Sequence, residues 1–228
     1  NRPSNHARSL QPRWNLGISV PSEALTVHSV RAGVFGKYPK HADFVRLGIS
    51  DGLADSLDHW AAAGLEQIQA SSDWQENWDR AAPWRFLLVD KEKPESLVLG
   101  IVAASIDKAG RRFPFFMTVE SSNFGNGGFV PTLSHWLEDT LYWVFDVAPP
   151  ASEVLVAVQN CCDQTLDNQH SGTFWEGRAH GLIMGPLTGV SAFWSLGCET
   201  AEGGVIEVQD RLQPRLFAQM FGSRRGSQ

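Results

Sequence analysis

The sequence predicts an α/β domain of the α+β kind, in which helices flank a mixed, largely antiparallel central sheet. Apolar segments of strand length make up much of the chain, turn sequences join several of them, and only two long segments have clear helical periodicity. A doubly wound parallel sheet needs a helix between most strands, so these observations favour hairpins over crossovers. The chain has 228 residues, 43% of them hydrophobic, which suffices for one substantial core.

We expect three parts along the chain. Residues 1–29 contain prolines and a glycine that interrupt any periodicity, and we interpret them as an extension or linker whose weakly alternating apolar residues could add a strand. Residues 30–222 form the single domain. The Gly/Ser-rich residues 223–228 form a disordered tail.

Helical periodicity marks two main helices. Ser50 is a candidate cap for the first, where apolar residues recur at helical spacing as far as Ile68. The second runs from Pro131 to Phe145 and is stopped by Pro149–Pro150. Pro214–Phe221 predicts a short closing helix. Large aromatics mostly fill cores, and we expect this of Trp74, Trp78, Trp143 and Trp175.

The remaining apolar segments predict strands. Ser96–Ser105 is apolar at nearly every position, which is typical of a central strand covered on both faces. The turn sequence Asp107–Gly110 then predicts a hairpin with the strand Arg111–Glu120. The other predicted strands are Val30–Phe35, Trp84–Val89, Val154–Val158, His180–Met184, Val190–Ser195 and Val205–Val208.

Composition and motif searches exclude several classes of function. A net charge of −6 without a basic face argues against nucleic-acid binding, and no apolar run is long enough to insert into a membrane. An odd number of cysteines, with Cys161 and Cys162 adjacent, indicates a reducing compartment, and we expect the cytoplasm. The sequence has no signature of a catalytic nucleophile, a metal site or a cofactor site. The segment Gly33–Lys37 resembles a phosphate-binding loop but departs from its pattern, and we interpret it as a strand that ends in a tight turn. We therefore expect no enzyme, metal or cofactor.

Two short segments concentrate polar residues of functional type. One runs from Gly33 to Arg46 and the other from Ala104 to Pro114, and each lies around a predicted loop. In the second segment, Asp107 is expected to cap its own turn with Arg111 bracing it, as a structural feature. Alternatively, Asp43 and Asp107 form a paired-carboxylate acid–base site of a small-molecule hydrolase, together with Ser105. The candidate partner-binding residues are Lys37, His41, Asp43, Arg46, Ser105, Asp107 and Arg111.

These segments resemble the TagF (ImpM) family of accessory proteins of bacterial type VI secretion. The family's opening pattern is matched by Gly33, Phe35, Gly36, Lys37, Pro39, Asp43 and Phe44. Later blocks are matched by Ala82–Phe86, by Gly100 through Pro114, and by Phe193–Ser195, so that the resemblance covers about residues 31–221. The chain differs from the family pattern at two places. His41–Ala42 replaces the usual Ser/Arg-Gly, and Phe193 replaces the first residue of the usual Trp-Trp pair.

The resemblance implies a cytoplasmic protein that restrains the secretion apparatus after translation. The implied partner is the forkhead-associated scaffold protein of the apparatus, and some relatives are fused to a PP2C-type phosphatase domain, which suggests association with such a phosphatase. The predicted sheet also has the outline of longin-like platform domains. A GTPase-associated scaffold is therefore an alternative function, on fold analogy only.

Overall fold

The computed structural model describes residues 30–89, 96–122, 129–167, 191–198, 201–208 and 212–222. Its centre is a seven-stranded sheet in which neighbouring strands are antiparallel in every described pairing. The strands are β1 (Val30–Gly36), β2 (Val45–Leu47), β3 (Trp84–Val89), β4 (Leu97–Ala103), β5 (Phe115–Ser121), β6 (Ser191–Cys198) and β7 (Ala201–Val208). Their order across the sheet is β2-β1-β5-β4-β3-β6-β7.

Helices cover both faces of this sheet. They are α1 (Asp51–Ile68), α2 (Trp74–Asp79), α3 (Phe129–Val147), α4 (Ala151–Asp167) and α5 (Pro214–Phe221). The buried residues of α3 and α4 share a hydrophobic cluster with one face of the sheet. Those of α1, α2 and α5 share a second cluster with the opposite face. The fold is thus a three-layer sandwich with a core on each side of its sheet.

The central strand β4 is buried on both faces, which explains why its sequence is apolar throughout. All seven of its residues are buried. Leu99 and Ile101 point into the cluster under α3 and α4, whereas Val98 and Val102 point into the cluster under α1 and α5. Successive side chains of a strand alternate between faces, and both faces are covered here, so no position is left for a polar residue. The predicted central strand and its hairpin with β5 are confirmed.

One predicted strand is wrong. Val154–Val158 lies inside helix α4, and Val154, Val158, Cys161 and Thr165 are all buried at helical spacing along one face. The carbonyl oxygen of Pro150 accepts hydrogen bonds from the N–H groups of Glu153 and Val154, at 2.9 and 3.2 Å, in the first turn of this helix. The proline pair that ends α3 therefore also precedes a second helix.

Other details differ from expectation at single residues. Ser50 occupies the position before α1, but its hydroxyl donates to Glu120 of β5 (2.5 Å) instead of capping the helix. Trp78 is buried and Trp74 is partly buried against the cluster that contains it, as expected, whereas Trp143 is 37% exposed and is not a core residue. Trp175, the predicted strand His180–Met184, the extension 1–29 and the tail 223–228 lie outside the described residues.

None of the described helices is both long enough and apolar enough to cross a membrane.

Candidate functional site

The two polar segments of the sequence meet at one end of the sheet, where β1 ends and β5 begins. The N–H of Lys37 donates to the carbonyl oxygen of Pro114 (3.3 Å), and the N–H of Lys108 donates to that of His41 (2.8 Å). The guanidinium group of Arg111 donates to the carbonyl oxygen of Ala42. We call the surface formed by residues 37–44 and 105–113 the loop-turn surface.

Gly36 makes this close approach possible. It adopts a φ of +112°, a backbone region that side chains rarely tolerate. A Cβ atom at this position would lie 2.0 Å from the carbonyl oxygen of Pro114. The Gly33–Lys37 motif thus ends strand β1 in a tight turn, as predicted from the sequence.

Asp107 lies at the centre of the loop-turn surface, and its carboxylate is fully buried. One carboxylate oxygen, Oδ1, accepts the N–H groups of Ala109 and Arg111, both at 2.9 Å. The other, Oδ2, accepts Arg111 Nε at 2.7 Å and forms an ion pair with Lys37 Nζ at 3.4 Å. Asp107 therefore caps its own turn and also joins it to the loop that carries Lys37.

These contacts set the ionisation of Asp107. Burial by itself would raise the pKa of the carboxyl group, because it removes the charged form from water. Hydrogen bonds from the Arg111 N–H and guanidinium group, from Lys37 and from Ala109 outweigh burial and lower the pKa to about 2. The carboxylate is therefore charged throughout the physiological range and acts as an acceptor only.

The aromatic ring of Phe44 lies over the ammonium group of Lys37. The ammonium group, itself buried, lies 4.7 Å from the ring centroid of Phe44, a distance at which a cation and a ring attract each other. The Phe44 ring packs edge-on against Phe113, 4.7 Å between centroids, and is 45% exposed. Phe44 thus shields the ion pair and presents an apolar face to solvent.

The loop is also tied to the connection between α3 and α4. Tyr38 Oη donates to the carbonyl oxygen of Pro149 at 2.6 Å, and His41 Nε2 donates to the same oxygen at 3.2 Å. Lys40 Nζ donates to the carbonyl oxygen of Val147 (2.9 Å) at the end of α3, where a cation suits the helix dipole. Burial, and secondarily the charge of Glu153, raises the pKa of Tyr38 to about 12.

The candidate residues other than Ser105 separate into three groups. Lys37, Asp107 and Arg111 form one ion-paired cluster, and His41 adjoins it through backbone contacts. Asp43 is exposed at the rim, where its carboxylate accepts the N–H of Phe44 (2.8 Å). Arg46 lies apart on β2 and pairs with Asp51 and Asp55 of helix α1, at 2.7 and 3.2 Å.

Ser105 belongs to a neighbouring groove rather than to the ion-paired cluster. The groove lies between α2, the chain that follows β4 and the C-terminal half of α3, and its volume is about 340 Å³. Its wall is mostly apolar: Pro39, Pro83, Ala104, Ile106, Leu141 and Phe145 contribute to it. Pro39 and Ile106 place the groove next to the loop-turn surface.

A paired-carboxylate site would need Asp43 and Asp107 in one cavity. Both oxygens of Asp107 already hold Lys37, Arg111 or backbone N–H groups, and neither aspartate contributes to the wall of the groove that holds Ser105. Within the described ranges, no group of three or more His, Cys, Asp or Glu side chains is arranged to hold a metal ion.

A buried ion pair near the groove was not predicted. Arg85 lies on strand β3, next to the central strand β4, and its Nε donates to Glu138 Oε2 of α3 at 2.7 Å. The Tyr142 hydroxyl donates to the other oxygen of Glu138 at 2.9 Å, which orients Tyr142 at the mouth of the groove. An arginine inside the apolar strand Trp84–Val89 was the available signal, because buried arginines are almost always paired.

Comparisons with known proteins agree with this architecture. Residues 33–139, which include both segments of the loop-turn surface, match the family model described as the TagF N-terminal domain, type VI secretion system-associated. The crystal structure of PA0076 from Pseudomonas aeruginosa PAO1 has a similar fold, with a TM-score of 0.64 over 83% of this chain and 93% of that chain. The two are 20% identical, so this likeness concerns the fold alone. No curated protein sequence matches this chain.

Proposed function

Residues 33–139 are a TagF N-terminal domain, associated with type VI secretion, and from this premise we propose that the chain is a post-translational negative regulator of that secretion system. It acts in the cytoplasm by binding a protein partner and not by catalysis. The partner is the forkhead-associated scaffold protein of the apparatus. The observation that carries the proposal is that the matched range contains both segments of the loop-turn surface.

The loop-turn surface has the properties of a preorganised binding patch. Its buried ion pair fixes the relative position of the loop and the turn, so little conformational entropy is lost when a partner binds. Its exposed groups are of mixed character: the Asp43 carboxylate, the Phe44 ring and the half-exposed Arg111 guanidinium. Lys37 and Asp107 position these groups and do not contact the partner themselves.

Binding to the full-length forkhead-associated protein from the same organism tests the proposal. We expect the purified chain to bind it in isothermal titration calorimetry, and overproduction of the chain to lower the amount of protein that the type VI apparatus secretes. Asp43→Lys and Arg111→Glu should each weaken binding at least tenfold and relieve the repression. Asp163→Lys is the matched control, because Asp163 is exposed near the far end of α4.

Two results would contradict the proposal. If the unaltered chain does not bind the forkhead-associated protein, the partner is wrong. If it binds, and both charge reversals leave binding and repression intact, the loop-turn surface is not the interface. Including a PP2C-type phosphatase in the same titrations tests the second expected partner.

The alternative functions have less support. A small-molecule hydrolase that uses Asp43 and Asp107 conflicts with the occupied carboxylate of Asp107, which has no oxygen left to abstract a proton. A GTPase-associated scaffold rests on the outline of the sheet only. Capture of a small GTPase together with the chain from cell extract would favour it over the secretion regulator.

A further inference from the structure

A second cavity, with a volume of about 350 Å³, lies between helices α3 and α4 and shares no lining residue with the groove that holds Ser105. Trp136 and Trp143 of α3 contribute two indole rings to its wall, and Asn160 and Gln164 of α4 contribute amide groups. Residues seven or four positions apart lie on the same side of a helix, so each helix lends one stripe of side chains. We call this space the α3–α4 cavity.

The charge of the α3–α4 cavity comes from Asp139, which is the charged residue of its wall. The side chain of Asp139 is 55% exposed, and its Oδ2 lies 3.6 Å from His135 Nε2, which is too long for a hydrogen bond. Cys161 also lines the cavity, beside Thr140, but burial raises the pKa of its thiol, which therefore stays neutral. The cavity thus offers one carboxylate to an incoming cation, next to two indole rings.

The helices around the cavity are strongly acidic. Together α3 and α4 contain six aspartate or glutamate residues and no lysine or arginine. Glu138 is ion-paired with Arg85 of the sheet. The residues of this set with exposed side chains are Asp139, Asp146, Glu153 and Asp163. Such an excess of one charge attracts basic partners and repels acidic ones.

The same two helices also expose large apolar side chains. Of the six large hydrophobic residues that are exposed in the described part of the chain, four lie on α3 and α4: Tyr142, Trp143, Val147 and Val156. A concentration of exposed apolar side chains is typical of an interaction surface. Together with the acidic side chains, it fits a partner segment that carries basic and apolar residues.

We propose that the α3–α4 cavity binds an arginine side chain from a basic segment of a protein partner. This surface is distinct from the loop-turn surface, and the inference does not depend on the proposed function. A planar guanidinium group can stack on an indole ring while its N–H groups donate to Asp139 and to the side-chain oxygens of Asn160 and Gln164. A lysine ammonium group is more strongly hydrated and cannot stack in this way. Arginine and tryptophan are also the residues that most often dominate the binding energy of protein interfaces.

Three blocked tripeptides test which property of the side chain the cavity recognises. They are acetyl-Gly-Arg-Gly-amide and the same peptide with lysine or with citrulline, whose neutral urea group has the shape of a guanidinium group. Fluorine NMR of the chain labelled with 5-fluorotryptophan reports binding through the resonances of Trp136 and Trp143, assigned by replacing each with phenylalanine.

We expect saturable shifts of both resonances with the arginine peptide and weaker binding of the lysine peptide. The citrulline peptide should bind about tenfold more weakly than the arginine peptide, because it forms neither a cation–π contact nor an ion pair. Equal binding of citrulline and arginine would overturn the role of charge, and equal binding of lysine would overturn the choice of arginine. Absence of saturable shifts with the arginine peptide would overturn the whole inference.

Two substitutions at exposed positions test the site itself. Asp139→Asn and Trp143→Ala should each weaken binding of the arginine peptide about fivefold, read from the Trp136 resonance, while the melting temperature stays close to that of the unaltered chain. Asp58→Asn is the matched control, because it removes the same charge from an exposed position of α1 on the opposite face of the sheet. If Asp58→Asn weakens binding as much as Asp139→Asn, net charge and not the cavity attracts the peptide. Unchanged binding by Asp139→Asn and Trp143→Ala would likewise contradict the inference.

The chain's own Arg224 and Arg225 are the competing occupant of the α3–α4 cavity. A variant in which alanine replaces both arginines distinguishes the two sources. If this variant binds the arginine peptide no better than the unaltered chain does, the cavity is open to a partner, as proposed. If it binds the peptide clearly better, the chain's own arginines occupy the cavity, and the inference of a partner's arginine is wrong.

Discussion

The buried carboxylate of Asp107 is the residue on which the geometry of the loop-turn surface depends. We expect Asp107→Asn to lower the free energy of unfolding by about 3 kcal/mol, because Lys37 is left as a buried charge without its counterion. The value is at the low end for breaking a buried ion pair, since Arg111 remains half-exposed and hydrated. Urea denaturation measures the change. Asp43→Asn, at an exposed carboxylate, should stay within about 0.5 kcal/mol of the unaltered chain, and a loss as large as that of Asp107→Asn would contradict this account.

The same carboxylate predicts a dependence of stability on acidity. The pKa of Asp107 is about 2 in the folded chain, against 3.8 without the fold, so the unfolded chain binds more protons between these values. The contribution of Asp107 is therefore complete above about pH 4 and is lost as the pH falls towards 2. Urea midpoints measured from pH 6 to 2 should fall less steeply in Asp107→Asn than in the unaltered chain. Parallel curves would show that Asp107 does not carry the predicted shift.

Tyr38 predicts the opposite behaviour at alkaline pH. Its pKa is raised to about 12 by burial and by Glu153, so ionisation opposes folding, and its contribution is lost as the pH rises from 10 towards 12. The chain has two tyrosines, which makes the tyrosinate absorbance near 295 nm simple to interpret. The ionisation of Tyr38 should appear as a late rise in this absorbance, which coincides with unfolding of the chain. Tyr38→Phe should abolish the late rise, whereas Tyr142→Phe should leave it in place. If Tyr142→Phe abolishes the late rise instead, that rise belongs to Tyr142, and the raised pKa of Tyr38 is contradicted.

At the scale of elements, the sequence predicted those parts in which periodicity and turn chemistry agree. Strand β3 was predicted with its observed bounds, and the hairpin of β4 and β5 followed from the turn residues Asp107–Gly110. Residues 154–158 of helix α4 predict a strand because Val154, Val156 and Val158 are β-branched and alternate along the chain. The longer series Val154, Val158, Cys161 and Thr165 has the helical period, and only tertiary packing makes all four of these residues buried.

The contact between α1 and α5 gives a prediction for a whole element. Alanine normally stabilises a helix relative to glycine by about 1 kcal/mol. At Gly64 of α1, however, a Cβ atom would lie 2.3 Å from the ring of Phe217, so Gly64→Ala should destabilise the protein by about 1–3 kcal/mol. Gly52→Ala in the same helix has open space around its Cβ and should be neutral or stabilising. Thermal denaturation compares the two, and equal effects would mean that α1 and α5 do not pack this closely.

For the molecule as a whole, the sequence predicted the two polar segments of the candidate site. It could not predict that the two segments meet in the fold. Nothing local in the sequence indicates that Lys37 reaches Asp107 across 70 residues, because that contact depends on the register of β1 against β5. Arg46 shows the converse: its place in the motif suggested the site, but β2 directs it to helix α1. The groove that holds Ser105 likewise arises only when α2, α3 and the β4–β5 turn are brought together.

The two cores should unfold together. They lie on opposite faces of one sheet, and every residue of β4 except Gly100 belongs to one or the other, so neither core can be lost without exposing the strands of its neighbour. Leu57→Ala in the core under α1 and Leu137→Ala in the core under α3 should each cost about 2–5 kcal/mol. Both variants should still unfold in a single transition, with coincident midpoints by far-UV circular dichroism and by tryptophan fluorescence. If Leu57→Ala instead produces an early fluorescence change while most helical signal persists, the face that carries α1, α2 and α5 unfolds on its own, and the sheet does not couple the two cores.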